Sequence, residues 1–94
     1  MHNFRIIYRI LTKYKELLET PGNPAELITP DTLDTTEHHM KTLLVMLSDA
    51  GLLKGITDNG GADVAYRHSE ITLKGLEYLA DNTKMKEISQ ELKK

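Results

Sequence analysis

Thr29-Pro30-Asp31-Thr32-Leu33-Asp34-Thr35-Thr36 constrains the fold more than any other stretch, because it holds two helix starts in succession. Thr29 is a cap, Pro30 fits the first helical position, where a missing N–H costs nothing, and Asp31 suits the positive end of the helix dipole. Asp34 to Thr36 supply a second set of caps, so the first helix cannot run far. From Thr36 to Ala50 a second helix follows, with Met40, Leu43, Leu44 and Leu47 as its apolar seam. Gly51 is its expected stop, since glycine adopts a left-handed conformation at little cost. Two helices joined by a few residues, the first very short, make a helix-turn-helix candidate.

The flanking segments complete the order. Asn3 to Glu19 reads as a long amphipathic helix with Phe4, Ile7, Leu11, Tyr14 and Leu18 at steps of three and four, widened by Ile10 and Leu17. Thr20 to Pro24 ("TPGNP") ends it. Leu27 and Ile28 suggest a brief strand. "LLKGIT" (Leu52–Thr57) and "VAYRHSEI" (Val64–Ile71) read as antiparallel strands around "DNGGAD", with the turn near Asn59–Ala62 supplied by Asn59-Gly60-Gly61. Their alternation is imperfect and leaves the register open. The glycines lie between two strands and lack a following Lys-Ser/Thr, so they are not a phosphate-binding loop. Thr72 caps a third helix with Leu73, Leu76, Leu79 and Ala80 on one side, and Gly75 there implies close packing. Met85, Ile88 and Leu92 space an amphipathic tail helix, docked or frayed. The fold class expected is mostly helical α+β: a winged helix-turn-helix over residues 1–82 with a two- to three-stranded antiparallel hairpin wing, and an extra C-terminal helix over 83–94.

Composition narrows the chemistry. A chain of 94 residues has room for one thin core and no deep cleft. Cysteine is absent, so thiolate catalysis, Cys-ligated metal and disulfides are excluded. No stretch is apolar enough to span a membrane, and the N-terminus has no signal-peptide core; a cytoplasmic location is expected. In "TTEHHMK", His38 and His39 point about 100° apart on a helix and cannot readily share one ion. His38 is expected in solvent and His39 half-buried at the rim of the seam, beside Met46. No serine sits in a nucleophile elbow. The expectation is a non-enzyme without cofactor or metal.

"NFRIIYRIL", "MLSDAGLLKG" and "ITLKGLEYLADN", three segments in the same order between Asn3 and Asn82, resemble the YjcQ family. The resemblance implies a small winged-helix protein of bacterial, phage or prophage origin, with DNA binding by analogy of fold and no catalytic residues. On the face opposite the seam, His38, Lys41 and Thr42 are the candidates for the DNA groove, with Arg67, Arg5 and Arg9 for its backbone. Arg5, Arg9 and Lys13 form a basic stripe closed by Glu16. Against DNA stand the formal net charge of −2, Glu37 and Asp49 on the same face, and Asp58 and Asp63 where a gripping wing would carry cations. Two functions are therefore carried forward. One is a regulatory protein binding double-stranded DNA weakly. The other is an interaction or dimerisation module without nucleic acid, its partner surface drawn from Val45, Tyr78, Met85, Ile88 and Leu92.

Overall fold

The computed structural model describes residues 2–59 and 63–92. Helix α1 (His2–Glu19) buries Ile6, Ile7, Ile10, Leu11 and Tyr14. The apolar stripe is thus centred on Ile6 and Ile10, and Leu18, beyond the reach of the core, is mostly exposed. The brief strand expected at Leu27 and Ile28 is instead part of a helical turn, α2 (Pro24–Leu27). The Asn23 side chain accepts the Ala25 N–H and Pro24 opens the turn, which fixes a helix start that overrides two branched side chains. Ile28 closes the turn onto the Pro24 carbonyl and is fully buried.

Helix α3 (Pro30–Leu33) carries the expected cap as a reciprocal pair: the Thr29 hydroxyl accepts from Thr32 N–H, and the Thr32 hydroxyl accepts from Thr29 N–H. It ends at Asp34, which takes the left-handed φ of 55° that aspartate tolerates. Helix α4 (Glu37–Asp49) starts where Thr36 accepts the His39 N–H, and its seam of Met40, Leu43, Leu44 and Leu47 is buried as expected. Gly51 follows with φ +81°.

The hairpin is two short ladders rather than two continuous strands. Strands β1 (Leu53–Lys54) and β4 (Glu70–Ile71) pair antiparallel, as do β2 (Thr57–Asp58) and β3 (Val64–Ala65). Between the ladders the outgoing arm has only Gly55 and Ile56, while the returning arm has Tyr66 to Ser69. The two extra residues fold into a turn in which Ser69 N–H donates to the Tyr66 carbonyl at 3.2 Å. Gly55 makes room for it: φ is +82°, and a Cβ there would sit 2.6 Å from the His68 carbonyl oxygen. This offset is why alternation fails along the sequence. At the far end, Asn59 N–H donates to the Asp63 carbonyl; the expected turn residues 60–62 lie outside the described residues.

Helix α5 (Leu73–Asp81) is capped by Thr72, which accepts the Gly75 N–H and donates to the Gly51 carbonyl. Gly75 packs as expected, since a Cβ there would lie 2.3 Å from the Leu52 carbonyl oxygen. The side assigned to α5 needs correction. Leu73 is 73% exposed and Ala80 is exposed, while Leu76 and Leu79 are half-buried. Backbone contact through Gly75 takes the place of a leucine seam. Helix α6 (Thr83–Leu92) packs against α1 and α5 and adds Met85 and Ile88 to the core.

A buried polar clasp ties three parts of the chain together. Ser69 Oγ donates to the Tyr66 carbonyl, which leaves it to accept from the Tyr14 hydroxyl at 2.6 Å. The Tyr66 hydroxyl in turn donates to the Ile28 carbonyl at 2.7 Å. Helix α1, the inserted turn of the hairpin and the α2–α3 junction are thereby joined. Burial pushes the Tyr14 phenol up to about 12, against the smaller lowering effect of the Ser69 bond. Tyr66 is also raised, by burial first and then by the negative charge of Glu37.

Candidate functional site

Helix α4 turns its solvent face toward the β2–β3 ladder, and between them lies a groove of about 300 Å³. Glu37, His38, Lys41, Thr42, Val45 and Met46 line it from the helix, Asp58 and Val64 from the hairpin. The 3.6-residue repeat makes this wall, because positions 38, 41, 42, 45 and 46 fall on one side while 40, 43, 44 and 47 face the core. Val45 and Val64, with a Met46 that is 56% exposed, give the groove an apolar stretch.

Its polar groups are largely occupied. Lys41 is the one lysine or arginine among the described residues of the lining, and its Nζ lies 3.4 Å from Glu37 Oε1, one turn back on the helix. Its side chain is only 19% exposed. The Thr42 hydroxyl donates to the His38 carbonyl at 2.8 Å, so it addresses its own helix rather than the groove. His39 is half-buried as expected, and it hydrogen-bonds Thr35 and Asn3, joining the first turns of α4 and α1.

The six DNA candidates are not brought together. His38, Lys41 and Thr42 share the α4 groove. Arg67 lies in the inserted turn and lines a different depression, with Tyr14, Leu17, Leu18 and Pro24. Arg5 is ion-paired with Glu91 of α6, and Arg9 stands exposed on α1. Of the interaction candidates, Val45 lies in the groove and Leu92 is 49% exposed. Tyr78 is half-buried against the core. Met85 and Ile88 are corrected from surface to core, because docking of α6 on α1 buries that part of the tail stripe. Met46 and Val64 were missed as groove residues. The helical repeat places Met46 beside Thr42, whereas Val64 needed a register that the split hairpin conceals.

Among the described residues no group of three or more His, Cys, Asp or Glu side chains is placed to hold a metal ion, and no helix is long and apolar enough to cross a membrane. A sequence model of the YjcQ protein family matches residues 8–94. No curated protein and no solved structure gives a match.

Proposed function

The chain belongs to the YjcQ family, and on that premise we propose that it is a non-catalytic winged-helix module whose α4 groove receives an apolar protein segment rather than DNA. The observation that carries this reading is the state of Lys41. The one lysine or arginine among the groove's described residues is paired with Glu37 and mostly covered, beside the apolar Val45, Met46 and Val64. A phosphate entering there would meet Glu37 and Asp58 and would have to break that ion pair. DNA affinity depends on neutralising phosphates and releasing counterions, about 0.9 of a salt-dependence unit for each contact. An apolar side chain entering the same groove meets neither cost and removes Val45 and Met46 from water. The competing reading, weak regulatory DNA binding, draws on the exposure of His38 and Thr42 on the second helix of a helix-turn-helix.

Selection from a random-peptide library on the full chain tests the proposal. The expected yield is peptides with an apolar core that lose about tenfold in affinity, roughly 1.4 kcal/mol, to Val45→Asp. They should bind a control variant, Leu92→Asp, unchanged. Peptides insensitive to Val45→Asp, or none at all, would remove the groove from consideration.

A further inference from the structure

A second groove lies between α1, α5 and α6, which all pack on one another. Each helix contributes residues at its own three- and four-residue steps: Tyr8, Thr12 and Lys15; Leu76, Leu79 and Ala80; Lys86, Ser89 and Gln90. Its volume of about 540 Å³ falls in the range of small-molecule sites. One wall is apolar, built from Tyr8, Leu76, Leu79 and Ala80.

The charges are one-sided. The chain has 14 acidic residues against 12 lysines and arginines, yet among the described residues the groove's lining holds two lysines and no carboxylate. Arg5, Lys41, Lys54 and Lys84 each have an acidic partner. The side chains of Lys15 and Lys86, like those of Arg9, Lys13, Arg67 and Lys74, have no ion pair or hydrogen bond among the described residues, and of these six only Lys15 and Lys86 line this groove. Thr12, between Tyr8 and Lys15 on the same helix face, adds an independent anomaly. Its Oγ1 is the one buried side-chain oxygen or nitrogen without a hydrogen-bond partner among the described residues. Such a group costs about 1–3 kcal/mol if left unsatisfied, and threonine in a helix has a second rotamer available to redirect it.

We propose that this groove binds a small amphiphilic carboxylate, its hydrocarbon laid on Leu76, Leu79 and Tyr8 and its carboxylate held between Lys15 and Lys86. An apolar wall beside unpaired cations selects for that combination: a neutral hydrocarbon leaves the lysines unused, and a hydrophilic anion leaves the wall wet. The site is separate from the α4 groove and does not depend on what α4 binds.

Amide chemical-shift titration of the full chain with sub-micellar decanoate tests it, with decanol as the uncharged comparison. Saturable shifts are expected at residues 8–15, 76–80 and 86–90, with a dissociation constant of about 1 mM or tighter. Decanol should bind at least about tenfold more weakly, and the double variant Lys15→Gln/Lys86→Gln should lose about tenfold for decanoate while keeping a folded spectrum. Non-saturating shifts, shifts centred elsewhere, equal binding of decanol, or undiminished binding by the lysine variant would each overturn the proposal. Binding of an acidic amphipathic peptide in place of decanoate would overturn it too, and would make the groove a protein-docking surface.

Discussion

Tyr14 shows how much of this fold hangs on single side chains. Its ring fills the core from α1, and its hydroxyl reaches Ser69, 55 residues away in sequence. Nothing local in "LTKYKEL" announces that partner, so the clasp could not be read from the sequence, whereas the caps Thr29, Thr36 and Thr72 could. Those act on N–H groups within three residues. Burial of the Tyr14 phenol has a pH signature whose sign follows from the direction of the shift, the Ser69 bond acting weakly against it. The phenol titrates near 10 when unfolded and at about 12 when folded. Its contribution is therefore complete below pH 10 and is lost as pH rises toward 12, a loss of about 2–3 kcal/mol over that window. Tyr66, also raised, adds in the same direction. Tyr14→Phe is expected to cost about 1 kcal/mol at neutral pH, since Ser69 keeps its bond to the Tyr66 carbonyl. Urea denaturation across that pH range should show a shallower alkaline decline for the variant than for the parent chain.

The elements divide by whether their determinants are local. Helices α1 and α4 were legible because a long 3.6-residue repeat and flanking caps agree. Helix α2 was misread because four residues carry no periodicity, and only Asn23 and Pro24 mark its start. The hairpin was legible as a hairpin but not in its register, because Gly55 and the Tyr66–Ser69 turn offset its two ladders. Burial of the tail depended on tertiary placement: the stripe predicted a helix, and the packing of α1 against α6 decides that Met85 and Ile88 belong to the core. A chain shortened to end at Asn82 loses both side chains from that core. The expected destabilisation is about 3–6 kcal/mol, which rivals the whole stability of a small domain. Circular dichroism should show the shortened chain largely unfolded at 37 °C; a cooperative transition near that of the full chain would mean that α6 contributes little.

Across the whole molecule, cations and apolar surface are sorted in a way that composition alone hides. The α4 face that a DNA-binding protein would make basic pairs its lysine with Glu37 and faces Asp58, while Lys15 and Lys86, without an ion pair among the described residues, line the α1–α5–α6 groove. The sequence already placed Glu37 and Asp49 on α4 and the aspartates in the hairpin arms. It could not show that Arg67 turns to another depression or that Arg5 is held by Glu91, since both depend on long-range packing. The most direct measurement is an amide chemical-shift titration of the full chain with AT-rich and mixed-sequence duplexes at low salt, read at residues 37–49. The expected result is no saturable shift at His38, Lys41 or Thr42. Saturable shifts there that weaken with salt at a slope of about −3 and are reduced by Lys41→Ala would contradict it and make α4 a DNA-reading helix.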